Sequence, residues 1–262
     1  MDISDFSVVL FILAVSFAGV KLKSLSLSGG IAAIIIGLTL YVSGGWKLLF
    51  LLGAFFASSS VWSKWKAERK SAAESRLAKT SVRDWQQVAA NGGAALIFSI
   101  IYFYLKEPIW LLASIGAIAS SNADTWASEL GVLSKSKPLS VRTWKRVDSG
   151  TSGAITLMGT LAALFGALFI AAASFIVYSG ASLQIVFLIT IAGFIGNIID
   201  TLLGAFVQIQ YQCPQCGTYT EKTFHCTCKT VKVKGTALLN NESVNFLSSL
   251  LGGLTAFVLS MI

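Results

Sequence analysis

Four ionisable residues, Asp124, Glu129, Asp200 and Glu242, stand within or at the edge of long runs of Leu, Ile, Ala and Phe. Charge is costly in such runs and marks a functional candidate by default. Asn91, Asn122, Asn197, Asn240, Asn241 and Asn245 accompany them. Ser121, Asp124, Thr125 and Ser128 recur at i, i+3, i+4 and i+7, which places them on one helical face. Asn197, Asp200, Thr201 and Gly204 repeat that spacing. Glu129 points elsewhere on its helix, toward the following loop. For Ser121, Ser128 and Thr201 the plainer role is hydrogen-bonded glue between helices. An amide would serve as glue at lower cost than a carboxylate, so Asp124 and Asp200 read as functional.

The loop after Glu129 carries Arg142, Lys145 and Arg146, then Gly150, Thr151, Ser152 and Gly153. That Gly/Thr/Ser run is expected to open the next span, where its free N–H groups and the positive dipole end form a ready anion site. Carboxylates facing it could hold Mg²⁺, which favours one or two carboxylates plus phosphate oxygens. Acid, metal, phosphate and base together suit phosphoryl transfer. Neither a Walker A motif nor a kinase Gly-rich loop is present, which excludes the common nucleotide-binding folds. The bland alternative is a loop that only sets topology, with Ser149 or Thr151 as a helix cap.

All four cysteines, Cys213, Cys216, Cys226 and Cys228, flank or adjoin the single histidine, His225. A Cys-x2-Cys knuckle with a second pair downstream reads as a small structural Zn²⁺ site. The Cys-x-Cys half is unusual, and His225 could replace one thiolate. Reduced, unliganded cysteines are the alternative. The metal's job would be to fold a segment too small for its own core.

These residues need a scaffold, and composition says which kind. The chain has 262 residues, 55% hydrophobic and 12% charged, with a net charge of +8. About a quarter charged is usual for soluble domains, so disorder and an ordinary soluble enzyme are excluded. A basic, apolar chain points to a membrane protein before a nucleic-acid binder. A bilayer-crossing helix takes about 20 apolar residues. Eight such stretches are expected, at 5–20, 28–43, 45–62, 87–105, 109–130, 151–178, 183–207 and 240–261. The fold class is thus all-α and polytopic, one integral membrane domain over 1–262. A signal peptide is excluded because Asp2 and Asp5, not basic residues, precede the first run.

Every Lys and Arg except Lys47 and Lys106 falls in the first, third, fifth and seventh turns between spans. Basic loops stay cytoplasmic, so both termini face outward. Residues 64–86 then form a basic cytoplasmic linker that sets topology and meets lipid heads. Residues 208–236 form a cytoplasmic Cys-rich loop, where a disulfide is disfavoured. The membrane acids and amides all fall in the cytoplasmic halves of their helices. Aligning Asp124 with Asp200 pairs Ala117 with Gly193, Ser120 with Gly196 and Thr125 with Thr201. Each following loop ends in Gly-Thr, at Gly150-Thr151 and Gly235-Thr236. A parallel internal repeat is expected, bringing two carboxylates together near its axis.

Several motifs carry a family resemblance: Gln87-Val-Ala-Ala-Asn-Gly-Gly93, Asn122-Ala-Asp-Thr-Trp-Ala-Ser-Glu-Leu-Gly131, Val147-Asp-Ser-Gly-Thr-Ser-Gly153, Gly196-Asn-Ile-Ile-Asp-Thr-Leu-Leu-Gly-Ala205, Cys213-Pro-Gln-Cys-Gly217 and Asn240-Asn-Glu-Ser-Val-Asn245. In these the chain resembles an uncharacterised polytopic membrane protein family. That family includes the plant chloroplast phytyl-phosphate kinase of vitamin E synthesis and its animal transmembrane relative. A looser likeness runs to phytol and dolichol kinases. Asp148-Ser149 departs from the less acidic lead-in expected before Gly-Thr. The resemblance implies phosphate transfer from a nucleoside triphosphate, CTP, to a prenyl monophosphate.

The combined reading is a prenyl-phosphate kinase of the cell (cytoplasmic) membrane. Asp124 and Asp200 would bind Mg²⁺–nucleotide, with Glu129 as a further ligand or water-holder. Arg142, Lys145, Gly150, Thr151 and Gly153 would bind phosphates, and Asn91, Asn197, Asn241 and Asn245 would orient them. The lipid bilayer, the prenyl monophosphate and the nucleotide are the expected partners, and nucleic acid is not. The rival is a transporter of a lipid phosphate or small anion, which should carry polar groups through the midplane and outer half.

Overall fold

The computed structural model describes residues 3–178 and 182–262, so Asp2 lies outside the described residues. The chain is mostly helical: α1 (Ile3–Lys21), α2 (Leu27–Lys64), the short α3 (Ala67–Glu74), α4 (Trp85–Leu105), α5 (Pro108–Gly131), α6 (Leu157–Val177), α7 (Leu183–Phe206) and α8 (Asn241–Leu259). Among the described residues, α2, α4, α6, α7 and α8 are long and apolar enough to cross a membrane.

The expected second and third spans form one continuous element, α2, broken at Gly45. Its φ of 78° is left-handed backbone that glycine adopts without strain. A straight helix of 38 residues would be roughly 57 Å long. Instead both ends of α2 reach Arg83. The Ser26 N–H donates to the Arg83 carbonyl at 2.9 Å, and Arg83 Nη2 donates to Ser63 Oγ at 3.4 Å. Near Gly45, Ser43 Oγ donates to Ser99 Oγ at 2.8 Å, far along α4. The arms 27–44 and 46–64 are therefore antiparallel. With them, each of the eight expected stretches has a helical counterpart.

α5 is the central helix, with residues 113–123 continuously buried. It touches α2, α4, α6, α7 and α8. That enclosure explains how it tolerates Asn122, Asp124 and Glu129: its polar groups face protein. α5 and α7 pack side by side in the same direction, since Gly193 abuts Ala119 and Gly196 abuts Ser120. A Cβ at Gly196 would lie 2.0 Å from Ser120 Oγ, so only glycine permits this approach. α8 runs opposite to α5, with Ser120 Oγ donating to the Ser248 carbonyl at 3.3 Å and Gly116 against Ala256. Small residues at these crossings allow close backbone packing.

The sixth expected span begins later than the sequence suggested. α6 starts at Leu157, capped by Thr156, whose Oγ1 accepts from the Gly159 N–H at 3.0 Å. Gly150 and Gly153 have φ of 84° and 74°, which no right-handed helix contains. Residues 150–153 form a turn leading into β2 (Ala154–Ile155), paired antiparallel with β1 (Leu139–Ser140). The Gly/Thr/Ser run is thus not a helix N-terminus, and the anion site expected there on that basis does not form.

The Cys-rich segment folds as small strands. β3 (Gln210–Gln212) pairs with β4 (Tyr219–Thr220) and with β7 (Val231–Lys234). β5 (Phe224–His225) pairs with β6 (Cys228–Lys229). Lys234 Nζ donates to the Gly204 and Ala205 carbonyls at 2.7 and 2.8 Å, closing the C-terminal end of α7. Burial there pushes the Lys234 ammonium down to about 8.

Candidate functional site

At the polar end of the bundle lies a cavity of about 320 Å³. Asp124, Glu129, Asp200, Asn91, Asn197, Asn241, Asn245, Gly150, Thr151 and Gly153 all line it. Arg142 and Lys145 do not. Both are exposed at the tip of the β1–β2 excursion, where the Ser140 N–H donates to the Lys145 carbonyl at 3.0 Å and the Trp144 N–H to Ser140 at 2.9 Å.

The parallel packing of α5 and α7 brings the Asp124 and Asp200 carboxyl groups into direct interaction. Asn197 Nδ2 donates to Asp124 Oδ1 at 3.2 Å. Ser248 Oγ donates to Asp200 Oδ2 at 2.9 Å. With its amide nitrogen turned toward Asp200, Asn245 donates to the same oxygen at 3.2 Å and to the Asn241 carbonyl at 3.0 Å. Two carboxylates this close repel unless a proton or cation sits between them. Carboxylates outnumber the cations in the lining, with Glu74, Glu129, Glu221 and Glu242 adding to the pair.

The cations come from a segment that sequence reasoning assigned to topology and lipid contact. Lys70 of α3 is buried and paired with Glu129 at 2.5 Å. Ser63 Oγ donates to the other Glu129 oxygen at 2.5 Å. Lys79 pairs with Asp84 at 2.8 Å and with Glu242 at 3.3 Å. Arg83 donates to Ser60 Oγ at 3.3 Å as well as to Ser63. The available signal was Glu129 itself, since a carboxylate in an apolar run needs a partner.

Two helices begin at the cavity. Asp84 caps α4, accepting from the Gln87 N–H at 3.0 Å in a capping box. Asn240 caps α8, accepting from the Ser243 N–H at 2.9 Å. Asn91 donates to the Gln87 carbonyl at 3.0 Å, and its own carbonyl accepts from Ser121 Oγ at 2.8 Å. Asn122 does not line the cavity and ties Gly166 of α6 to Ser58 of α2. Asp148 forms ion pairs with Arg76 at 3.1 Å and Lys137 at 3.4 Å. Its hydrogen bond and charge interaction with Arg76 hold that carboxyl below the usual range. The acidic lead-in to Gly150 therefore anchors the loop to the α3 linker.

Glu221, which sequence reasoning also missed, enters the cavity from the Cys-rich segment. It accepts from Gln208 Nε2 at 2.8 Å, Ser152 Oγ at 3.2 Å and the Ala78 N–H at 3.3 Å. Burial pushes its carboxyl up. The Glu221 N–H and Thr220 Oγ1 both donate to the Arg76 carbonyl. One acid thus joins the Cys-rich segment, the Gly150–Gly153 turn and the α3 linker.

The cysteines also converge. Donor atoms of Cys213, Cys216, His225 and Cys226 lie within 4.8 Å of one another, a cluster that could hold a metal ion. Cys228 sits beside it, 3.7 Å from the Cys213 sulfur, and donates to the His225 carbonyl at 3.1 Å. Backbone donation from Cys216 leads the causes that pull the Cys213 thiol down to about 6.

The profile of the family described as integral membrane protein DUF92 matches residues 10–253. The chain belongs to this family. It is therefore an integral, multi-pass membrane protein. It is 34% identical over 274 residues to "Protein PGR" of Arabidopsis thaliana, covering 94% of this chain and 92% of that one. It is 31% identical over 235 residues to "Uncharacterized membrane protein MJ0933" of Methanocaldococcus jannaschii, covering 89% and 85%. With "Protein VTE6, chloroplastic" of Arabidopsis thaliana it shares 26% identity over 152 residues, covering 56% of this chain and 46% of that one. No solved structure matches.

Proposed function

We propose that the protein is a membrane-embedded phosphotransferase that moves phosphate from a nucleoside triphosphate, CTP, to a prenyl monophosphate at the cytoplasmic face. The observation that carries this reading is the Asp124–Asp200 pair in a cavity walled by amides, three cations and two helix N-termini. The family resemblance to the plant phytyl-phosphate kinase supplies the substrate class.

In this reading α1, the two arms of α2, α4, α5, α6, α7 and α8 make eight crossings of a cell membrane. Lys and Arg placement sets both termini outside. α5–α6 and α7–α8 are parallel repeats, and Asp124 and Asp200 meet near their common axis.

The donor set fits Mg²⁺. Asp124 and Asp200 offer hard oxygens side by side, and the cavity's excess of carboxylates would repel a triphosphate arriving without a cation. When bound, Mg²⁺ supplies charge neutralisation and alignment of the phosphates. A phosphate oxygen of the prenyl monophosphate attacks the terminal phosphorus of the nucleotide. The new P–O bond forms as the bond to the bridging oxygen breaks, and the nucleoside diphosphate leaves with that electron pair. The acceptor is already an oxyanion, so no residue need remove a proton. Positioning and electrostatics provide the catalysis. Lys79 and Arg83 offset phosphate charge, while Asn197 and Asn245 fix the two aspartates. Glu129, engaged by Lys70 and Ser63, orients that wall.

The transporter reading is less favoured. Away from the cavity the bundle is filled by Leu40, Leu48, Leu51, Phe98, Ile118, Ile170 and Ile189, all buried. Reconstitution tests the proposal. Proteoliposomes with Mg²⁺, labelled CTP or ATP, and phytyl or geranylgeranyl phosphate should yield labelled prenyl diphosphate. Absence of that product with every nucleotide would overturn the reading.

The Cys/His cluster is assigned to structural Zn²⁺. Three sulfurs and one imidazole match a tetrahedral site, and the segment has little core of its own. Purified protein should contain about one zinc per chain, and Cys216→Ser should lose it and expose 208–236 to proteolysis. Protein that is metal-free yet equally protected would refute the assignment.

A further inference from the structure

Beside the polar cavity, between the α2 hairpin and α4, lies a second hollow of about 70 Å³. Leu25, Ala33, Ile36, Leu52, Phe55 and Phe56 supply most of its wall. Almost nothing polar faces it, yet Arg83, Gln87 and Asn91 line both hollows. The two spaces therefore share one wall, and the residues on it are the polar ones.

Arg83 is the notable member of that wall. It has no salt bridge among the described residues, its side-chain hydrogen bonds being to the Ser60 and Ser63 hydroxyls. Its guanidinium lies over the Phe56 ring, 5.9 Å from the centroid. Burial draws its pKa below the usual guanidinium range, while the charge of Glu129 works in the opposite direction. A half-buried guanidinium on two weak neutral acceptors has unused capacity for an anion. Its planar fork suits a phosphate bidentately. An apolar crevice adjoining it suits a hydrocarbon chain on that same phosphate.

We propose that Arg83 holds the phosphate of the single-chain lipid acceptor and that the α2–α4 crevice receives the first part of its isoprenoid tail. This divides the cavity. The acceptor lies on the Arg83, Gln87 and Asn91 side, and the nucleotide lies toward Ser152, Gly204 and Gln208. The isoprenoid character of the occupant follows from the proposed function, and the narrow hollow beside Arg83 admits a single chain. Gly92 shows how narrow: a Cβ there would meet Ile36 at 3.2 Å.

The proposal rests on the phosphotransferase reading, so its first test does not require turnover. Full-length protein in proteoliposomes is irradiated with a diazirine-bearing geranylgeranyl phosphate, and the adducts are mapped. Labelling within 25–56 and 88–92, competed by unlabelled geranylgeranyl phosphate but not by geranylgeraniol or a diacyl phospholipid, is the expected result. Labelling confined to α6 and α7 would overturn the crevice. Equal competition by the alcohol would overturn the role of Arg83, and undiminished competition by phospholipid would make the hollow an ordinary lipid contact.

Kinetics then separate the two readings. Arg83→Gln should raise KM for the lipid phosphate roughly tenfold to a hundredfold, the worth of a lost charge-assisted contact. KM for the nucleotide should stay unchanged, which also reports a folded site. Arg83→Lys should recover part of the loss. Ala33→Phe should penalise geranylgeranyl phosphate while sparing geranyl phosphate. Equal effects on both substrates of the Arg83→Gln variant, or no chain-length effect at Ala33, would overturn the proposal. Crosslinking in the crevice without any turnover would instead leave the site standing and remove the kinase reading.

Discussion

Asp124→Asn and Asp200→Asn should each lower the phosphoryl-transfer rate by about 10²–10³-fold or more, the effect of removing one preorganised electrostatic group from a transition state. Stability should move the other way or not at all. Asparagine keeps the side-chain shape, and one of two interacting carboxylates is gone. Ser248 Oγ can still donate to the remaining oxygen at position 200. The measurement is paired: turnover in proteoliposomes against thermal unfolding in detergent. Full activity in either variant would sink the proposed role. A fall in activity matched by an equal fall in folded protein would mean the pair is structural.

The second large effect is on stability. Glu129→Ala should cost about 3–5 kcal/mol, because it strands a buried ammonium. Lys70 is 1% exposed, and its other acceptor is the Trp62 carbonyl. Pairing it with Glu129 fastens α3 to α5. Lys70→Met alone should be milder, since Glu129 retains Ser63 Oγ as a donor. The double variant Lys70→Met, Glu129→Leu should recover much of the loss, as apolar replacement of buried pairs often does. Chemical denaturation of all three in one detergent gives the comparison. A Glu129→Ala variant within about 1 kcal/mol of the parent protein, the range of an exposed pair, would show that the pair is solvated.

Most of the helical scaffold was legible because its signal is additive. Apolar runs of helix length survive small errors at each end, as at Trp85–Leu105 and Leu183–Phe206. Even the close approach of Asp124 and Asp200 could be read, because their neighbours share one small-residue spacing. Position 150–153 failed for a different reason. Gly, Thr and Ser open helices and also make turns, and only the left-handed φ of Gly150 and Gly153 decides between them. Lys70 was illegible because α3 is amphipathic on its own, and nothing local says that Glu129, distant in sequence, is its partner. Glu221 sits among Thr220 and Lys222, an ordinary solvated context, until the strands of its segment turn it inward. Long-range pairing leaves no trace in local composition.

The convergence of Asp200, Ser248 and Asn245 has a consequence for how the protein is made. Synthesis delivers α7 before α8, so Asp200 emerges with neither of its α8 partners. An ionised Asp in a crossing helix is costly to insert, by up to about 2.5–3.5 kcal/mol where it lies at the centre. α5 is already present and offers Asn197's neighbour Asp124, a like charge and no relief. A nascent chain halted between α7 and α8 would thus satisfy Asp124 through Asn197 but leave Asp200 without its two α8 donors. Arrival of α8 supplies both donors and the remaining wall in one step, so the 19 residues of α8 complete the assembly as well as the site.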